Sequence, residues 1–290
     1  MSSALPDPDS FLSGDAGDVT HPWRRTKRGL GELAYSALDV LTASRLRTAR
    51  LARRTEEARD VLVIGIYRPG SLMPGVLDAL RSEHHRVRIA LASTGAADGS
   101  LRDHTVAEGL TGGKFENLNR ILEASGDAGE PDWTLVVDDD VGLPRAFLDR
   151  FIALCEAFEL DLAQPAQTLL SHSAWKVTRR RPASLVRETR FVEIGPVTAF
   201  SRRTAAELQP FPELRFGWGL DLHWSALASR HGWRLGIVDA LPVRHESRLV
   251  GTAYSHDDAI DEAARFLADR PYLSSARAHE VLAVHRRVPT

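Results

Sequence analysis

A single cysteine in 290 residues leaves this chain without an intramolecular disulfide or a cysteine-based zinc cluster to hold it together. That residue, Cys155, falls in an apolar helical pattern with Phe151, Ile152, Leu154 and Phe158, so the sequence predicts a small core residue. Long apolar runs are also missing, which excludes a membrane-spanning helix as the reading of any stretch. The start, Met1-Ser-Ser-Ala-Leu-Pro, has no basic segment followed by an apolar one, so no secretory signal is expected and cytoplasmic residence is the default. Charge of one sign is lacking too: the formal net charge of -2 gives no global case for nucleic acid or an anionic membrane. There is no P-loop, because no Gly-Lys-Ser/Thr follows a long glycine loop, and no internal repeat. What remains is an ordinary globular composition, 43% hydrophobic and 26% charged, with length for one large core or two small ones.

The densest chemistry lies in Trp133-Thr-Leu-Val-Val-Asp-Asp-Asp-Val-Gly-Leu-Pro144. Leu135, Val136 and Val137 read as a buried parallel strand, and the chain then meets Asp138, Asp139 and Asp140. In open α/β sheets, ligands sit at the carboxyl ends of the strands. Three carboxylates crowded there repel one another unless a cation compensates them. Oxygen donors of this kind suit Mg²⁺ or Mn²⁺ shared with substrate phosphates. The competing reading is a turn and helix cap with Pro144 in the first helical turn, but one Asp would serve for that.

Around that strand the chain alternates. Residues 1–22 are rich in Ser, Asp, Gly and Pro and are expected to be a disordered tail. Residues 23–60 form a basic helical extension, with Leu30, Leu33, Ala34, Ala37, Leu38 and Leu41 at helical spacing; from Trp23 to Arg54, nine basic residues face only Glu32 and Asp39. Such a segment can lie on an anionic membrane face, pack on its own domain, or pair with a second copy in a homodimer. Residues 61–255 are expected to be the main domain: strands over Val61–Tyr67, Val87–Ala92, Leu160–Pro165 and Arg234–Asp239 alternate with helices, which argues for a mostly parallel sheet. Residues 256–290 read as C-terminal helices.

Three further stretches carry candidate roles. Gly112-Gly-Lys-Phe-Glu-Asn opens a helix with glycines, where Lys114 and Asn117 could contact phosphate or ribose, or else be a surface lysine and a helix cap. In Phe216-Gly-Trp-Gly-Leu-Asp-Leu-His-Trp224, two glycines flank an indole suited to stacking on a sugar, and Asp221 stands at a helix start. Its competing reading is an N-cap beside a core tryptophan. His245, just past a late strand, could reach a metal, although a lone histidine is more often structural.

Together these pieces resemble the GT-A type of glycosyltransferase, most like the inverting family 2 group, over about residues 61–246. Val136-Val-Asp-Asp-Asp140 is similar to that superfamily's Asp-x-Asp strand end, Gly113–Asn119 to the helix before it, and Gly217–Asp221 to its acceptor segment. The resemblance implies a Rossmann-like α/β fold and a metal-dependent transfer of sugar from a UDP- or GDP-type nucleotide sugar to a glycan, lipid-linked or small-molecule acceptor. It implies Asp138, Asp140 and His245 as ligands of Mn²⁺ or Mg²⁺. Tyr67, Arg68, Lys114, Asn117, Asp138 and Asp139 become donor contacts, Asp221 the general base, and Trp218 and Trp224 the acceptor platform. One base and no protein nucleophile would give inversion, by analogy with glycosidases. The sequence departs from the pattern in two places. Ala92-Ser-Thr-Gly95 lacks the acidic pair that often follows the second strand, and Leu220-Asp221 has one acid where two are usual. The alternatives are a nucleotidyltransferase, for which Tyr67-Arg-Pro-Gly70 is too short a loop, a non-catalytic sugar-nucleotide or glycan binding protein, and a metal that serves only the fold.

Overall fold

A computed structural model of the chain describes residues 5–13, 22–42, 44–54, 57–126, 129–246 and 255–289. Most of the expected tail lies outside them. Its described part is anchored: Pro8–Ser10 make one 3₁₀ turn capped by Asp7, and Phe11 is buried in the core. An aromatic ring removed from water is what ties this segment down.

Two helices follow, α1 (Pro22–Leu41) and α2 (Ser44–Arg54). The sheet begins with β1 (Asp60–Tyr67), α3 (Met73–Leu80), β2 (Arg86–Ser93), β3 (Thr105–Ala107), α4 (Lys114–Ala124) and β4 (Trp133–Asp138). Next come β5 (Val141–Gly142), α5 (Phe147–Ala157), β6 (Leu162–Gln167), β7 (Val186–Thr189), β8 (Val197–Ser201) and α6 (Arg202–Leu208). The chain closes with α7 (Leu220–His231), β9 (Leu235–His245), α8 (His256–Leu267), α9 (Ser275–Ala278) and β10 (Val281–His285).

The strands lie in the order β10-β7-β9-β6-β8-β4-β1-β2-β3, with β5 paired to β9 off this path. Pairs β1–β2, β1–β4, β2–β3 and β6–β9 are parallel, whereas β8 runs antiparallel to both β4 and β6. Alternation along β1 shows how the layers are built. Val61, Val63 and Tyr67 face one cluster with Phe147 and Phe151 of α5, while Leu62 and Ile64 face another with Phe115, Leu118 and Ile121 of α4. Successive side chains thus bury on opposite faces, and both faces are covered, as expected for a mainly parallel sheet.

Two expectations are corrected. The late strand runs on to His245 rather than ending at Asp239, because its second part pairs with β5 and with Gln167 of β6. The last segment is not helical beyond α9: Val281–His285 adds a strand antiparallel to β7. The free edge of β7 supplies backbone partners that outweigh a weak local helical pattern.

Candidate functional site

β4 ends at Asp138, beside Ile66 of β1 on one flank and the start of β8 on the other, where the Asp138 amide donates to Pro196 O at 2.9 Å. The chain turns through Asp139 and Asp140 into β5. There Val141 pairs with His245, and the Glu246 amide donates to Asp140 O at 2.8 Å. This short antiparallel contact delivers the histidine: His245 Nε2 lies 3.1 Å from Asp140 Oδ1. Asp138, Asp140 and His245 each offer one ligand atom, and the three atoms lie within 4.8 Å of one another. All three side chains are partly exposed, so solvent or a ligand can reach them. Two carboxylates and one imidazole, with room for further oxygen ligands, fit Mn²⁺ or Mg²⁺ better than a closed structural zinc site.

Electrostatics tie the group together. Burial pulls Asp140 upward, but the hydrogen bond and charge of His245, with Arg68 and Lys114 nearby, hold it below the ordinary carboxylate value. Burial pulls His245 down, yet Asp140, Asp138 and Glu193 hold it above the ordinary imidazole value. Each group therefore favours the charged form of the other.

Lys114 is drawn into the same group. Its Nζ donates to Asp138 Oδ1 at 2.6 Å and to Ile194 O at 3.2 Å. Gly195 is what allows this approach, since a Cβ there would stand 2.6 Å from Asp138 Oδ2. The other expected donor contacts are rearranged. Arg68 makes a two-pronged pair with Asp139, Nε to Oδ2 at 3.0 Å and Nη2 to Oδ1 at 2.7 Å, and its amide also donates to that carboxylate at 2.8 Å. Asp139 is thereby occupied and buried, so it holds Arg68 instead of offering itself to a nucleotide. Tyr67 is not a donor contact: it is 1% exposed, and its hydroxyl lies 2.8 Å from Thr105 Oγ1 and accepts the Asp98 amide. Asn117 is not one either, being buried and accepting from Arg120 at 3.0 Å. In both cases packing took a polar side chain that sequence spacing had left free.

The Gly-Trp-Gly segment lies against α4. Gly217 has φ +77 and a Cβ there would be 2.0 Å from the Phe115 ring, so only glycine fits. Glu262 of α8 accepts the amides of Arg215, Phe216 and Gly217 and fixes the loop. Trp218 is half-buried, 5.4 Å from the His256 ring, and keeps part of its face in reach of a ligand. Trp224 is different. It is 2% exposed and packs edge-on against Phe200, so it belongs to the core and is withdrawn from the acceptor platform. Asp221 does not cap α7, whose N-cap is Gly219; its carboxylate accepts the Leu222 amide at 2.9 Å. Burial, and then the charge of Glu193, push it up to about 8.

Glu193 is the residue that sequence reading missed. Burial pushes it up to about 7, against the pull of His245, Thr178, Gln167 and the Ala174 amide. Gln167 Nε2 donates to it at 2.8 Å, and its own amide donates to Gln164 Oε1. Its charge acts on both Asp221 and His245. The available signal was an acid inside the apolar run Phe191-Val-Glu-Ile, facing two glutamines inside the buried strand Leu162–Gln167.

No protein-family model and no curated protein matches the sequence. Solved structures do. S. aureus TarS 1-349 in complex with UDP-GlcNAc aligns with a TM-score of 0.51 at 14% identity, over 71% of this chain and 65% of that one. GalNAc-T7 with UDP, GalNAc and Mn²⁺ aligns with a TM-score of 0.50 at 12% identity, over 69% of this chain and 46% of that one. This chain thus spans about half to two-thirds of those proteins. Likeness at such identity establishes the fold.

Proposed function

We propose that this chain, which has the GT-A fold of nucleotide-sugar glycosyltransferases, transfers a sugar from a UDP- or GDP-type donor to an acceptor hydroxyl with inversion. The observation that carries the reading is the convergence of Asp138, Asp140 and His245 within 4.8 Å at the carboxyl end of the central strand. The UDP compounds bound by TarS and GalNAc-T7, and the Mn²⁺ of the latter, support the choice of donor and metal.

A divalent cation on those three ligands would supply positive charge for the departing diphosphate. Lys114, close to Asp138, adds a second positive charge, and Arg68, steered by Asp139, points its exposed guanidinium along the same edge. Asp221 takes the acceptor proton. Its raised affinity for protons makes it a stronger base once ionised, and the positive charge of a loaded donor site favours that ionised form. Trp218 offers the acceptor a stacking surface. Direct attack by the acceptor oxygen, with Asp221 as the one base, gives inversion.

A thermal-shift panel of UDP, GDP, CMP and dTDP sugars, each with and without Mn²⁺, tests the donor half of this reading. One nucleotide class should stabilise the chain in the presence of metal. If no nucleotide sugar raises Tm with Mn²⁺ present, the transferase reading fails.

A further inference from the structure

We propose that α1 and α2 form an interfacial face that lies on an anionic lipid bilayer. This goes beyond the transfer reaction and does not depend on it.

The argument starts from which side of α1 meets the protein. An amphipathic helix ordinarily buries its apolar stripe and turns its polar side to water. Here the order is reversed. The side against the domain is polar: Arg180, itself buried, pairs with Glu32 and Asp39, reaches Ser36 Oγ at 3.5 Å and lies 5.9 Å over the Tyr35 ring. Glu32 also accepts the Leu169 amide at 2.9 Å. These contacts fix the rotation of the helix about its own axis. They leave Trp23, Leu30, Leu33, Val40 and Leu41 facing outward, between 65% and 80% exposed. The stripe is continued by the exposed small residues Ala34 and Ala37.

Charge decides what covers this stripe. Arg24, Arg25 and Lys27 of α1 and Arg47, Arg50 and Arg53 of α2 are exposed, and the segment's acids, Glu32 and Asp39, are turned inward onto Arg180. Leucines flanked by cations with no outward acid are complementary to a surface that is apolar below and negative above, which is the boundary of an anionic bilayer. A second copy of the same face would set like charges against each other. No described helix is long and apolar enough to cross a membrane, so the contact is one of lying on the surface.

The test is flotation of the full chain with vesicles of phosphatidylcholine alone and of phosphatidylcholine with phosphatidylglycerol. The chain should float with the anionic vesicles only, and less so in high salt. Arg24→Gln and Lys27→Gln should each weaken binding about fivefold. Leu33→Gln with Leu41→Gln should abolish it while Tm stays unchanged, since both side chains are exposed. Failure of the wild-type chain to float with anionic vesicles at low salt overturns the proposal. So does flotation undiminished by the leucine pair. Light scattering that shows a dimer broken by those substitutions, with no vesicle binding, assigns the face to a second copy instead.

Discussion

Lys114 Nζ sits 2.6 Å from Asp138 Oδ1, so an amine stands at the carboxylate that a divalent cation would use. The lysine neutralises the acid in the free protein and must share it when metal enters. Lys114→Met should tighten binding of Mn²⁺ alone, by a factor of up to about five, because one competing positive charge is gone. The same substitution should weaken binding of the donor diphosphate. Calorimetric titration with metal alone, and with nucleotide sugar plus metal, separates the two effects. Weaker binding of metal alone would show that Lys114 merely props the site.

The His245–Asp140 pair sets a pH dependence for metal. A ligand imidazole must give up its proton, and Asp140 holds that proton on His245 above the ordinary value. Metal affinity should therefore fall by up to about tenfold per pH unit below the His245 value, as protons compete for one ligand. The Mn²⁺-induced rise in Tm should be larger at pH 8 than at pH 6. His245→Ala should remove that difference. An equal rise at both pH values in the wild-type chain would take His245 out of the ligand set.

Asp221→Asn keeps the shape of the carboxyl and removes its basicity. Turnover should drop by about 10² to 10⁴, the usual range for a positioned acid or base, with metal-dependent nucleotide binding retained. A variant that still turns over at the wild-type rate would assign the proton transfer elsewhere.

The same residue carries a stability signature. Asp221 and Glu193 are held well above their ordinary values, at about 8 and about 7, by burial, and Asp221 also by the charge of Glu193. The folded chain then binds more protons than the unfolded chain between about pH 4 and pH 8, so this contribution to stability is present in acid and is lost as pH rises through those values. Asp221→Asn should raise Tm relative to wild type at pH 8.5 and change it little at pH 5. An equal effect at both pH values would mean that the carboxyl is ionised throughout.

Trp218 and Trp224 should part company. Trp224→Ala opens a hole against Phe200 and should cost about 3–5 kcal/mol of stability. Trp218→Ala should leave stability less affected and raise the acceptor KM. Denaturation curves and acceptor kinetics on the two variants decide this; equal stability losses would place both rings in the core.

How far these features could be read in advance depended on the range of the forces behind them. The run Leu135–Val137 names a buried strand because apolar, β-branched residues have nowhere else to go, and the acids after it must then stand at a strand end. Periodicity likewise marked α4, and the acid after two glycines marked the start of α7. Tyr67, Asn117 and Trp224 went the other way. Their types permit a surface or a core place, and only neighbours from distant elements chose the core.

The amino-acid order by itself determined the alternation of strands and helices and the position of Asp138 and Asp140 at a sheet end. These follow from local sterics and from the period of apolar residues. Tertiary structure alone decided that β5 meets β9 and so brings His245 to Asp140, that Glu193 meets Gln164 and Gln167 of β6, and that α1 turns its leucines outward. Each of those rests on contacts between segments far apart along the chain. Which face of a helix is covered, and which acid loses its water, is settled by the partner that packs there.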